Sequence, residues 1–235
     1  MFRNKNNLTK LPKERKLITH LLPKSTISEQ YRMIRSNIMF SGIDKEIKRI
    51  VVTSAAPSAG KSTTAANIAV AYAQAGKTVL LIDGDLRKPT VQYTFETKNV
   101  FGLSNLITDQ IKLEQAIQNT MVENLSIMTS GPIPPNPSEL LASSKFEELI
   151  DSLQEYFDFI VIDTPPVLAV TDAVIMSTIV EGTILVTNVE TNNKQHLIKA
   201  KDMLEKSDSN ILGVVLNNVK TSGKDDYYYY EYYGK

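Results

Sequence analysis

Runs of mostly apolar residues at 50–53, 78–82, 125–128, 159–163, 183–186 and 212–217 are separated by stretches whose apolar positions recur at helical spacing. Uninterrupted apolar runs of this length predict strands buried on both faces, whereas strict alternation would mark a half-solvated sheet. Between and around them the sequence predicts helices over 62–74, 103–107, 113–117, 144–157, 172–179 and 193–206. Strands alternating with helices imply a parallel sheet covered on both sides, the doubly wound α/β class. Ahead of the first strand, Ile27, Tyr31, Ile34 and Ile38 recur every three or four residues and are expected to face the core. Thr26-Ile27-Ser28-Glu29 fits a capping box opening this helix, and Gly42 can close it. Prolines at 132, 134, 135 and 137 forbid a helix or central strand there, so this segment is expected as a rigid loop.

The ends break the pattern. Residues 1–24 carry Arg3, Lys5, Lys10, Lys13, Arg15, Lys16 and Lys24 against Glu14 alone, without periodicity. They read as a basic arm, either solvated or touching anionic lipid heads or a membrane-embedded partner. The domain is expected over 25–220. In the tail, 221–235, six of the last nine residues are tyrosine: Tyr227, Tyr228, Tyr229, Tyr230, Tyr232 and Tyr233. Four consecutive phenols suit no core strand, whose neighbours face opposite sides. They read as an exposed segment, and a phenol is a phosphoryl acceptor; the plainer alternative is an aromatic tail that docks on a partner or on its own domain.

Composition narrows the chemistry. The 26 basic and 26 acidic residues balance, so no global charge argues for nucleic acid. Cysteine is absent and there are two histidines, which removes thiol catalysis, Cys-ligated metals and any His-rich metal site. No apolar stretch approaches the roughly 18–20 residues of a transmembrane helix, so a cytoplasmic protein is expected, brought to a membrane by a partner or a surface patch.

The stretch Ala55-Ala56-Pro57-Ser58-Ala59-Gly60-Lys61-Ser62-Thr63 lies between a predicted strand and a predicted helix, the setting of a phosphate-binding loop. Backbone amides from Ser58 to Thr63 and the helix start would hold phosphate oxygens, with Lys61 on the β/γ-phosphates and the Ser62 hydroxyl on Mg²⁺. Asp83 and Asp85 follow one buried strand and Asp163 ends another, at the carboxyl edge where open α/β sheets bind ligands. Three acids beside a polyphosphate require a divalent cation between them, and Mg²⁺ suits oxygen ligands. Asn217 and Asn218, closing the last strand, could read an adenine edge or simply make a turn.

Taken together, Asp83-Gly84-Asp85-Leu86-Arg87-Lys88-Pro89, Asp163-Thr164-Pro165-Pro166, Glu29-x-x-Arg32-x-x-Arg35, the segment from Gly131 to Leu140 and the tyrosine tail resemble the bacterial tyrosine kinases of capsule and exopolysaccharide production. The resemblance spans nearly the whole chain and is strongest to the stand-alone kinase subunit of Gram-positive, staphylococcal-type capsule systems. It implies ATP and Mg²⁺ as cofactors. It makes Lys61, Asp83, Asp85 and Asp163 the catalytic set, with Ser62, Asp85 and Asp163 on the metal and Asp83 meeting the incoming phenol. It also implies a separate transmembrane activator, a cognate phosphotyrosine phosphatase, and an octameric ring whose interface uses Glu29, Arg32 and Arg35. From spacing alone those three are an ordinary solvated helix face. The main rival, a partitioning or division-site ATPase switch, typically carries a lysine where this chain has Ala56. A nucleotide-fixed adaptor is the non-enzyme alternative.

Overall fold

A computed structural model describes residues 17–42, 46–191 and 193–220. In chain order the elements are α1 (Ile18–Leu21), α2 (Thr26–Ser41), β1 (Arg49–Ser54), α3 (Lys61–Ala73), β2 (Val79–Asp83), α4 (Val91–Thr94), α5 (Leu103–Ile107) and α6 (Leu113–Ala116). They continue through β3 (Ile117–Asn119), β4 (Leu125–Met128), α7 (Pro137–Leu141), α8 (Ser144–Ser152), β5 (Phe159–Asp163), α9 (Asp172–Ser177), β6 (Gly182–Asn188), α10 (Lys194–Glu205) and β7 (Ile211–Asn217). One seven-stranded sheet runs β3-β4-β2-β5-β1-β6-β7. Every pairing is parallel except β3 with β4.

Successive strand residues feed opposite layers, as the pleat requires. Ile50, Val52, Val79 and Leu81 face a core built on α3, while Val51, Leu80, Ile82, Ile160 and Ile162 face one with Leu103, Phe146 and Ile150. Helix α3 is buried along almost its whole length, and its alanines at 65, 66, 69, 71 and 73 let it lie close to the sheet. Tyr72 stacks on Phe159 with ring centroids 3.6 Å apart. Gly102 has no room for a side chain, since a Cβ would stand 2.0 Å from the Thr129 oxygen. That close approach seats α5 against the loop after β4.

At the amino ends of the strands, polar side chains tie neighbours together. The Arg49 N–H and its guanidinium donate to Glu181 at 2.7 Å and, through Nη2, 2.6 Å, and the same guanidinium pairs with Asp151. The Thr78 amide and hydroxyl each donate to Asp158 at 2.8 Å.

Several boundaries differ from expectation. Residues 17–24 include folded structure: Leu17 and Thr19 are buried, and Asn67 on α3 accepts from the Thr19 amide and hydroxyl at 2.9 and 2.8 Å. The expected basic arm thus overlaps α1, and residues 1–16, like the tyrosine tail, lie outside the described residues. The α2 cap is Ser25, whose hydroxyl accepts from the Ser28 amide, and the Glu29 carboxylate turns to Arg32 instead of closing a box. Ile27, expected in the core, is 48% exposed, while Ile38 is buried and Tyr31 and Ile34 pack against the core. The predicted helix 144–157 stops at Ser152 and tightens into a 3₁₀ turn, Leu153–Glu155.

Candidate active site

The loop from Ala55 to Gly60 leaves β1 and enters α3 as the sequence predicts. Ser58 at φ 64° and Gly60 at φ 92° are left-handed, which curls the loop so that successive amides can converge on one anion. Ala55, in place of a more common glycine, is buried and does not disturb the turn.

Strand register then sets the acids. Asp83 on β2 lies opposite Asp163 on β5, and Asp163 lies opposite Val52 on β1. All three strands therefore end on the rim that carries the loop. Lys61 Nζ sits among them, 3.3 Å from Asp163 Oδ1, 3.4 Å from Asp85 Oδ2 and 3.2 Å from the Ser62 hydroxyl. Burial alone would push the Lys61 ammonium down, but Asp163, Asp85 and Asp83 outweigh it and hold its pKa above the ordinary value. Asp163 is wholly buried and its carboxyl is raised by that burial, with Lys61 and Ser62 opposing.

Asp163 Oδ2 is buried without a hydrogen-bond partner, beside the Ser62 hydroxyl and the Lys61 ammonium. An orphaned carboxylate oxygen there fits a hydrated divalent cation. Among the described residues no three carboxylates form a ready-made metal cage.

Asp83 is closed in by backbone amides in this conformation. It is fully buried, with Oδ2 accepting from the Thr90 and Val91 amides at 2.7 and 2.8 Å and Oδ1 from the Asp85 amide at 3.2 Å. A phenol cannot reach it without breaking these bonds, so in this conformation it shapes the loop, and Asp85, bonded to Lys61, is the acid nearer the rim. Burial first, then Asp163 alongside, pushes the Asp83 carboxyl up to about 7, although the Val91 and Thr90 amides and Lys61 pull it down. The sign for stability follows: the unfolded chain gives up this proton near the ordinary value of 3.8 while the folded chain still holds it. Stability of the nucleotide-free protein should therefore fall as pH rises from about 4 to 7 and then level. Asp158 and Glu181, held below their ordinary values, act only below that window. The urea midpoint is expected to be higher at about pH 5 than at pH 8, with Asp83→Asn removing much of the difference. A midpoint that rises across this interval would contradict the assignment.

Two connections were not foreseen. Arg87 donates to Asp172 at 2.8 Å through Nε and to Ser138 at 2.8 Å, and Ser138 donates to Asp172 at 2.7 Å. This joins the Asp83–Arg87 loop to α7, which follows the proline-rich loop, and to α9; the only sequence signal was an acid opening an otherwise apolar helix. The second is Thr90, whose hydroxyl lies 3.3 Å from that of Ser62.

Asn217 lies under the phosphate loop. Its Nδ2 donates to the Ala59 carbonyl at 3.1 Å and its Oδ1 accepts from the Asn218 amide at 3.0 Å. Both ends of the amide that was expected to read adenine or make a turn are thus engaged. The helical stripe also divides. Arg32 pairs with Glu29 and donates to the Pro23 carbonyl at 2.6 Å, while Arg35 turns to α3 and donates to Ala71 at 2.7 Å. None of the three is simply solvated.

Known proteins resemble the chain in sequence and fold. A family model described as "ParA: NUBPL iron-transfer P-loop NTPase" matches residues 46–234. The chain is 46% identical over 217 residues to the tyrosine-protein kinase YwqD of Bacillus subtilis (strain 168), covering 92% of each protein. It superposes on the crystal structure of the chimerical protein CapA2B2 with a TM-score of 0.85 and 50% identity, covering 87% of this chain and 90% of that one. At greater distance, the septum site-determining protein MinD of Pyrococcus horikoshii, solved with Mg-ADP, gives a TM-score of 0.64 and 31% identity over 74% and 72% of the two chains.

Proposed function

The chain belongs to the bacterial tyrosine kinase family, within the ParA-type P-loop NTPases, and on that premise we propose that it moves the γ-phosphoryl group of ATP onto the tyrosine cluster of a neighbouring copy. It is a protein-tyrosine kinase of the capsule and exopolysaccharide type rather than a division-site switch. The observation that carries the finer reading is Lys61 held between Asp85 and Asp163 at the mouth of the phosphate loop.

When nucleotide enters, the loop amides from Ser58 to Thr63 hold its phosphates, and Lys61 leaves the acids for the β/γ-phosphate oxygens. Ser62, with Asp85 and Asp163 alongside, would hold Mg²⁺, which would supply the positive charge that lets those acids face the phosphates. Asp83 keeps the Asp85 loop in place through its three amide contacts. The Arg87–Asp172–Ser138 bonds keep that loop aligned with the proline-rich wall. Little more is required, because phosphoryl transfer depends mainly on alignment and charge neutralisation.

The acceptors are Tyr227, Tyr228, Tyr229, Tyr230, Tyr232 and Tyr233, presented in trans within an octameric ring whose joint is the Glu29, Arg32 and Arg35 contact. A transmembrane activator recruits the kinase to the inner face of the membrane, and a phosphotyrosine phosphatase resets it. A mixing experiment tests the scheme. A donor with all six tail tyrosines changed to phenylalanine is combined with a Lys61→Met acceptor, Mg²⁺-ATP and the activator's cytoplasmic segment. Phosphotyrosine is expected on the acceptor tail, falling about tenfold or more when the donor also carries Glu29→Ala, Arg32→Ala and Arg35→Ala. An unmodified acceptor tail beside an active donor would remove transfer in trans.

A further inference from the structure

The place of Asn217 assigns it work that sequence pattern did not suggest. It closes β7, and that end of the strand is fixed: Asn217 lies opposite Asn188 of β6, and its carbonyl accepts from the Val189 amide at 3.0 Å. From this anchor Nδ2 reaches the Ala59 carbonyl at 3.1 Å. The orientation of the amide is settled by its other end, since only the oxygen can accept from the Asn218 N–H.

The neighbouring glycine is cut to fit. A Cβ on Gly60 would stand 1.9 Å from Asn217 Nδ2, and Gly60 also needs its φ of 92°. Two separate demands thus exclude a side chain at this position. Across a planar trans peptide a carbonyl and the next N–H point in opposite directions. Holding the Ala59 oxygen on the β7 side therefore turns the Gly60 N–H to the other side.

We propose that Asn217 is a positioning residue of the phosphate cradle: by pinning the Ala59–Gly60 peptide to the end of β7, it aims the Gly60 amide at the nucleotide's phosphates. This rests on the nucleotide-binding reading above and differs from adenine recognition, because its effect does not depend on a base. A ligand without a base separates the two.

The test measures calorimetric binding of Mg²⁺-ADP and of Mg²⁺-tripolyphosphate to the full chain and to Asn217→Ala and Asn217→Leu. Leucine keeps the branched shape while removing the donor to Ala59 and the acceptor for the Asn218 amide, so it guards against a variant that fails to fold, and melting curves without ligand check both. One neutral hydrogen bond corresponds to roughly a five- to tenfold change in affinity. Both variants are expected to lose about that factor for both ligands alike. A loss confined to Mg²⁺-ADP would overturn the proposal in favour of base reading, and unchanged binding of both ligands would overturn it outright. A parent chain that bound neither ligand would instead overturn the nucleotide site itself.

Discussion

Replacing Lys61 by methionine should lower tail phosphorylation on the order of a thousandfold and, at about pH 8, destabilise the nucleotide-free protein by roughly 3 kcal/mol. The first effect follows from removing the positive charge that meets the developing phosphate charge. The second follows from what Lys61 does before nucleotide arrives. It bridges Asp85 and Asp163, which are 7% and 0% exposed at their side chains, and methionine leaves both acids without a counter-charge. No core volume is lost in this change; the destabilisation comes from breaking the double ion pair. Undiminished phosphorylation would remove the site assignment, and a stability equal to the parent's at pH 8 would show that the acids do not depend on this lysine.

Asp163→Asn should separate the two quantities. Transfer is expected to fall about a hundredfold or more, since an amide cannot balance the metal's charge. Stability of the nucleotide-free protein at pH 8 should hold or rise, because a carboxylate whose burial raises its pKa is removed while Lys61 keeps Asp85. One active-site change thus weakens the empty fold and the other does not, although both silence the enzyme. Parallel urea titrations and phosphotyrosine blots check the pair, and a marked loss of stability in Asp163→Asn would show that this carboxylate holds the empty site together.

What could be read from the sequence was what depends on local order. The phosphate loop needs a strand, a short polar turn and a helix in succession, and residues 50–74 state all three. The parallel core follows equally from uninterrupted apolar runs. Contacts between distant segments were harder to see. Asn217 reaches Ala59 across 158 positions, and no spacing rule connects them. Arg35 keeps helical phase with Arg32, yet its guanidinium turns to the carbonyl of Ala71, because α3 packs against that side of α2. Strand β3 is three residues long and begins where α6 ends, so Ile117 reads equally well as the helix's last apolar position. The surroundings of Asp83 were hidden for a related reason: the amides of Thr90 and Val91 that it accepts from belong to a turn seven and eight residues on, whose path only the fold supplies.

The two rims of the sheet divide their labour. At the amino rim, Arg49 binds Glu181 and Asp151, so β1 is tied to the segments that lead into both of its neighbours, β6 and β5. At the carboxyl rim stand the loop, the acids and Asn217. Fastening the strands from the far side leaves the near side free to change by substitution without unthreading the scaffold. Inheritance can therefore act on the rims separately: one lineage of loops writes phosphate onto tyrosine and another, in a division protein, holds Mg-ADP. Directed evolution of new acceptor preferences should accordingly accept variation at exposed loop positions such as Lys88 and Ile133, keep Asp85 and Arg87, and accept very little at Arg49.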